Sequence, residues 1–282
     1  AIMQQDSLVR LSVENWSDLQ EAFMTDWPRG ISGYTILDTQ RRWLEECFDY
    51  GFKVFCPFGD LWSGMVAINE KDAFYEIVLQ CPRNDTSKLE EALKTTNVID
   101  WQRNIIIPFA PSHIIESVKK IADDVNVDIE LILPSNSFIL DKQSPQFDVS
   151  LPSSITFGLL TPKHIELVDS TWPHRYPGST WYFQLLVKTR SGFGLFKDQD
   201  LVSWVFINEA GTLGHMYTLE DHRRKSYGEL LLKSVSNVLL KERKDVFAFS
   251  VKGNESACNL YRKVGFKNFD GVAWCYLKGK SK

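Results

Sequence analysis

Apolar residues recur along this chain at two rhythms, a period of two and a period of about 3.6, and the two alternate from end to end. Helical spacing runs from about Leu8 to Met24 and again across Thr39 to Tyr50. Phe52 to Pro57, Trp62 to Asn69 and Ala73 to Gln80 then read as three successive strands. Ile105-Ile106-Ile107 is a short buried strand, Ser112 to Asp123 an amphipathic helix and Val127 to Leu133 a further strand, closed by Pro134-Ser135-Asn136. Asp141 to Ser154 lose the periodicity and contain Pro145 and Pro152, so the predicted domain boundary lies there, dividing residues 1–150 from 151–282. Beyond it the pattern predicts a strand at Ile155 to Leu160, helices at Pro162 to Thr171 and Ser179 to Arg190, and a strand at Gly194 to Lys197. Ser203 to Ile207 turns through Asn208-Glu209-Ala210-Gly211 into Thr212 to Thr218, an antiparallel hairpin. A helix at Glu229 to Lys241, a strand at Val246 to Val251 and a helix after Asn254 complete an α/β (α+β) plan with a mixed sheet and flanking helices.

Length and composition narrow the function classes. With 282 residues and 44% hydrophobic composition, the chain can give each of two domains a core. The net charge of −4 is spread without a block of one sign, which argues against a nucleic-acid or polybasic membrane partner and for small-molecule or protein substrates. Cys47, Cys56, Cys81, Cys258 and Cys275 are odd in number and form no CxxC pair or metal-ligand spacing, so no metal is expected and a reducing compartment fits. Ala1 to Asp6 follow neither the signal-peptide nor the transit-peptide plan, and no apolar run approaches membrane-spanning length. The expected location is cytoplasmic, with a mitochondrial one compatible with the same residues.

Two stretches carry candidate chemistry. Thr218-Leu219-Glu220-Asp221-His222-Arg223-Arg224-Lys225-Ser226-Tyr227-Gly228 lies between a strand and a helix whose Leu231, Val235, Val238 and Leu239 share one face. A loop at a helix start turns unpaired backbone N–H groups outward at the positive end of the helix dipole, which makes an anion site. Close approach of a pyrophosphate needs a residue without a bulky side chain, here Gly228. An ordinary charged loop would have the same residues. The second stretch is Asn254-Glu255-Ser256-Ala257-Cys258-Asn259-Leu260-Tyr261-Arg262-Lys263-Val264-Gly265-Phe266. Asn254 is placed to cap a helix and Gly265 to end it, while Ala257, Leu260, Tyr261 and Val264 recur at helical spacing. Taken singly, these residues also describe a well-capped packing helix.

Taken together and in this order, the two stretches resemble the GNAT N-acyltransferase superfamily. Its acetyl-CoA loop, Arg/Gln-x-x-Gly-x-Gly/Ala, is matched at Arg223 and Gly228, with Ser226 in place of the first glycine. Its later pattern, Asn-x-x-Ala-x-x-Leu-Tyr-x-x-x-Gly-Phe, is matched at Asn254, Ala257, Leu260, Tyr261, Gly265 and Phe266. Leu159-Leu160, His164, Trp172, Gly194-Leu195-Phe196, Val202-Ser203-Trp204 and Thr218-Leu219 look like the glycine N-acyltransferase family, which joins acyl-CoA to the amine of an amino acid. The resemblance implies an acyl-CoA-binding catalytic domain at 151–282, and at 1–150 an α/β domain that carries neither CoA motif, a degenerate GNAT-like repeat.

The same resemblance implies roles. Pantetheine would insert between two splayed parallel strands and pair with the backbone of Met216, Tyr217 and Thr218. Arg223, Arg224, Lys225, Ser226, Tyr227 and Gly228 would hold the pyrophosphate, with Asn254 beside the cofactor, and Tyr261 would protonate the CoA thiolate. The family's catalytic glutamate falls on Thr212, which cannot take a proton at neutral pH. His215 is the alternative base, although strand alternation puts it on the opposite face, and a satisfied polar residue is its other reading. His174 and Arg175, in the loop from Thr171 to Gly178, would meet the acceptor, Arg175 through a carboxylate. Three classes follow: an N-acyltransferase for a small-molecule amine such as an amino acid, a protein or peptide N-acetyltransferase, and a catalytically impaired CoA-binding module.

Overall fold

The computed structural model describes residues 3–71 and 74–281. Ala73, where the third strand was expected to begin, and Ala1 and Ile2 of the opening segment lie outside the described residues. The chain divides into two units, residues 1–136 with 269–282, and residues 137–268. The irregular stretch Asp141 to Ser154, where the sequence suggests a boundary, thus lies inside the second unit, and the chain's last strand returns to the first.

The first unit contains β1 (Leu8–Arg10), α1 (Trp16–Met24), α2 (Ile31–Glu45), β2 (Phe52–Pro57), β3 (Met65–Lys71), β4 (Phe74–Gln80), α3 (Ser87–Thr95), β5 (Ile105–Pro111) and α4 (Ser112–Ile121). Most of β6 (Val127–Leu140) and of β12 (Lys267–Gly279) also belong to it. Its strands run β1-β2-β3-β4-β5-β12, with only the β4–β5 pair parallel among the registers found. Three expectations are corrected here. Leu8 to Arg10 form a strand and not a helix turn, because they pair antiparallel with Phe55 to Pro57. The second helix occupies Ile31–Glu45, starting earlier than Thr39, because Ile31, Ile36 and Leu37 are buried with Trp43. Pro134-Ser135-Asn136 does not end β6, which continues to Leu140.

The second unit holds β7 (Ile155–Leu159), α5 (Ile165–Thr171), α6 (Thr180–Lys188), β8 (Gly192–Lys197), β9 (Asp200–Ile207), β10 (Leu213–Thr218), α7 (Tyr227–Lys241), β11 (Val246–Val251) and α8 (Glu255–Val264). Strand order is β11-β10-β9-β8-β7. The β9–β10 pair is the expected antiparallel hairpin, whereas β10 and β11 are parallel, a pairing that requires a crossover, supplied by α7. Leu231, Leu232, Val235 and Leu239 of α7 pack with Val205, Leu213, Val246 and Ala248, and Phe138 at the end of β6 joins the same core. Full burial of such side chains contributes about 1.5–3 kcal/mol each, so α7 is firmly seated and its first turn is a fixed platform. The mixed α/β plan expected from the two rhythms is the architecture observed in both units.

One close approach tunes this core. A Cβ at Gly192 would lie 2.7 Å from the Phe206 ring directly across the β8–β9 pair, and Phe206 is fully buried. Gly192→Ala is expected to destabilise the protein by about 1–3 kcal/mol through overpacking, read as a lower midpoint in urea unfolding.

Candidate active site

β10 does not stay beside β11. The two strands share the register pair Leu213↔Ala248. On the other side, Gly214 faces Phe206 but Tyr217 faces Trp204, so His215 and Met216 together oppose one residue of β9. That β-bulge places His215 at φ 55, in the left-handed region, and bends β10 away from its parallel neighbour. Past Leu213 the β11-facing edge of Met216, Tyr217 and Thr218 is where an extended ligand could pair. Alternation cannot be counted across the bulge, so the expected opposition of His215 and Thr212 does not carry through it. Thr212 is buried and donates its hydroxyl to the carbonyl of Phe247 at 2.9 Å, a structural bond.

From the end of β10 the chain passes through the loop to α7. Arg224 and Ser226 take φ 61 and 60, and Ser226 immediately precedes the helix without capping it through its side chain. The first N–H groups of α7 are left to other partners, at the positive end of a 15-residue helix. Arg223, Arg224, Lys225 and Ser226 are exposed around them. Arg223 donates from Nε to the Thr218 carbonyl at 3.0 Å and lies 5.3 Å from the Tyr217 ring centroid, which ties the loop back to β10. Tyr227 is buried and stacks with His222, so of the expected loop residues it acts as an anchor. A Cβ at Gly228 would meet only Leu260, at an ordinary 3.6 Å, so protein packing does not demand glycine there. The nearby Glu229 is engaged by Lys233 at 3.0 Å and Lys263 at 2.8 Å, which hold its carboxyl below the usual range and balance its charge.

α8 begins as the sequence indicates. Asn254 Oδ1 accepts from the Ala257 N–H at 3.3 Å, and Gly265 ends the helix at φ 104. Asn254 is therefore a helix cap first, with its side-chain amide still exposed. Tyr261 is buried, stacked on Phe138 at 5.0 Å and against Phe266 at 5.4 Å. Burial, with a smaller contribution from Cys258, pushes its phenol up to about 12, so the proton is held at neutral pH. Among the described residues its hydroxyl has no hydrogen-bond partner.

A second cluster surrounds the bulge. The rings of Trp172, Tyr182, Phe183 and Phe206 lie 5.9, 5.4, 5.6 and 6.1 Å from the imidazole of His215. Burial in this cage, and secondarily the charge of His174, press the His215 pKa down to about 4. His215 Nε2 is 3.1 Å from the Tyr182 hydroxyl, which donates to Glu209 Oε2 at 2.6 Å. Burial raises the Glu209 carboxyl above its ordinary value, against the lowering effect of the Tyr182 bond. Asn208 builds the turn that aims Glu209 back at α6, accepting from Ala210 N–H at 3.0 Å and Thr212 N–H at 3.3 Å. Sequence reasoning missed Tyr182 and Glu209, since one sits at helical spacing among apolar residues and the other in a hairpin turn. His174 is exposed and touches Trp172, while Arg175 is exposed and reaches Asp169 at 3.6 Å, a carboxylate that also accepts from Ser179.

No group of three or more metal-ligating side chains occurs among the described residues, and no helix among them is long and apolar enough to cross a membrane.

Residues 192–275 match the family described as FR47-like protein. Over 208 residues, 68% of this chain and 69% of the relative, the sequence is 23% identical to human glycine N-acyltransferase-like protein 2. A Drosophila protein of known structure superposes with a TM-score of 0.85 at 21% identity, covering 98% of this chain and 100% of that one. A tandem GNAT protein from the clavulanic acid biosynthesis pathway gives 0.58 at 14% identity over 98% and 99%. A GCN5-related N-acetyltransferase from Sphaerobacter thermophilus gives 0.57 at 10% identity over 95% and 94%. At these identities the solved structures speak for the fold, and they cover both units. The resemblance read from the loop and the Asn254–Phe266 pattern therefore holds at the level of fold: the chain has the GNAT fold, and its sequence is similar to FR47-like and glycine N-acyltransferase-like proteins.

Proposed function

We propose that this protein is a coenzyme A-dependent N-acyltransferase that moves an acyl group, acetyl in the simplest case, to the amine of a small molecule such as an amino acid. The observation that carries the reading is the bent strand end at Met216–Thr218 followed directly by an uncapped helix start at Ser226. Those two features offer an extended backbone edge and an anion site in the order in which pantetheine and pyrophosphate are joined in CoA. Backbone N–H groups from Arg224 to Gly228 hold the pyrophosphate, with Arg223, Arg224 and Lys225 adding positive charge. The missing side chain at Gly228, which packing does not demand, fits a phosphate approaching the helix.

Tyr261 acts as the proton donor to the leaving thiolate, since its phenol is protonated at neutral pH and its hydroxyl is uncommitted. His215 is the base on the acceptor side, and Asn254 borders the cofactor at the start of α8. His174 and Arg175 line the approach of the acceptor, Arg175 keeping guanidinium N–H groups free of Asp169 for a carboxylate. The first unit does not bind CoA.

Added acetyl-CoA at millimolar concentration is expected to raise the melting temperature, because it binds only the folded state. Thiol release across a panel of acyl-CoAs and amino acids tests the reaction; CoA binding without release under any pairing would make the chain a CoA-binding module and refute the transferase reading.

Gly228→Glu should abolish the acetyl-CoA-induced melting shift while leaving the apo melting temperature close to that of the parent, because it adds a side chain and a negative charge at the helix start. Ser226→Gly should act oppositely on stability. It relieves a left-handed serine worth about 1–3 kcal/mol, less the entropy of an added glycine, and should raise the urea midpoint without weakening CoA binding.

Tyr261→Phe keeps the stack on Phe138 and removes only the hydroxyl. Turnover should fall about 10²-fold or more with little change in acetyl-CoA affinity. A variant within about twofold of wild type, across acyl donors with good and poor leaving groups, would show that Tyr261 only packs.

A further inference from the structure

We propose that Glu209, Tyr182 and His215 form a proton relay that deprotonates the acceptor amine, with His215 Nδ1 as the atom that takes the proton; this rests on the acyl-transfer reading above. The hydrogen-bond directions set the tautomer. The single proton of the Tyr182 hydroxyl is committed to Glu209 Oε2 at 2.6 Å. Toward His215, 3.1 Å away, the same oxygen can only accept, so Nε2 carries a hydrogen and Nδ1 carries the lone pair. Thr212 offers no carboxylate for this work, and its hydroxyl is already bound to the Phe247 carbonyl.

The step balances. An N–H bond of the acceptor ammonium breaks as Nδ1–H forms on His215. Nε2–H breaks as a proton joins the Tyr182 oxygen, and the original Tyr182 O–H breaks as Glu209 becomes a carboxylic acid. His215 changes tautomer and never becomes an imidazolium. After product leaves, the relay runs backward and hands the proton to water.

This route answers the difficulty of a histidine in an aromatic cage. Burial among Trp172, Tyr182, Phe183 and Phe206, together with the neighbouring His174, holds the imidazole pKa near 4, so His215 alone would be a poor base for an ammonium group. In the relay the proton ends on Glu209, whose burial makes it a stronger acceptor than an exposed glutamate. Tyr182 and Glu209 thus position and drive the atom that meets the substrate. The titratable groups bearing on His215 are His174 from the loop before α6, Tyr182 from α6 and Glu209 from the hairpin turn; the other neighbours are apolar rings.

The test compares wild type, Glu209→Gln and Tyr182→Phe with acetyl-CoA and either the best amino acid of the panel or hydroxylamine, which is uncharged at neutral pH. Each variant should lose about 10²-fold in kcat/KM with the amino acid, but less than about threefold with hydroxylamine, which needs no deprotonation before attack. The acidic limb of the wild-type pH profile should flatten in Glu209→Gln, and acetyl-CoA affinity should stay within about twofold. Equal losses with both acceptors would indicate a packing role and overturn the relay, as would activity within about twofold of wild type with both. Should Glu209→Gln fail to melt cooperatively, Tyr182→Phe carries the same comparison. A wild type that binds acetyl-CoA but releases no thiol with any acceptor would sink the transferase reading and the relay with it, whereas an active wild type with unaffected variants sinks the relay alone.

Discussion

The bend in β10 governs everything else in the second unit. A parallel pair would ordinarily zip along its length, and one extra residue between Gly214 and Tyr217 prevents it. The bulge parts β10 from β11 beyond Leu213, leaving a strand edge for a ligand, and sets His215 at a left-handed φ. That geometry turns His215 into the ring cage, and the cage in turn fixes its protonation state. The open strand edge and the ring cage are therefore two consequences of one backbone irregularity.

A comparison inside the chain shows what the bend makes possible. The first unit has the same local order, a strand, a helix, a parallel strand and a second helix, in β4, α3, β5 and α4. There the end of β4 is bridged to β5 by the buried Gln80, whose amide donates to the Phe109 carbonyl at 3.3 Å. The start of α3 already has its anion, since Asp85 accepts from the Ser87 N–H at 3.0 Å and its hydroxyl at 2.7 Å. Those bonds hold the Asp85 carboxyl below its ordinary range. The unit's own side chains thus fill both positions that stay open at β10 and α7. This is a physical reason, independent of the missing motifs, for placing the proposed CoA site in the second unit.

The sequence made the helix caps, the buried face of α7, the hairpin and the Asn254–Phe266 pattern legible, because each is local: a cap, a turn or a period is decided within a few residues. It could not show Leu8–Arg10 as a strand, since three residues have no period of their own and only β2 decides. The strand β6 running through Pro134, and β12, which the periodicity did not reveal, are likewise set by neighbours in the sheet. The ring cage around His215 was the least readable. Tyr182 and Glu209 are 27 residues apart and meet only because Asn208 closes the hairpin and α6 packs beneath it. His215 was visible as a candidate, but its cage, its bulge and its hydrogen-bonded partner were not.

Three residues of the second unit's site, His215, Arg224 and Ser226, hold left-handed backbone without being glycine. Such conformations cost on the order of 1–3 kcal/mol each and persist only where surrounding packing fixes them. At Ser226 the constraint is α7, whose buried leucines and Val235 leave the helix no freedom to unwind toward a relaxed serine. At His215 it is the four rings of the cage. Arg224 has no such packing, being exposed between the two, and its conformation follows from Arg223 held to Thr218 on one side and Tyr227 buried on the other. The strain is thus anchored at both ends of the loop, by β10 and by α7. A phosphate group bound between them would find the N–H groups already turned toward it. Glycine at position 226 would lower the cost of that shape without changing it, so the serine there alters the loop's energy more than its geometry.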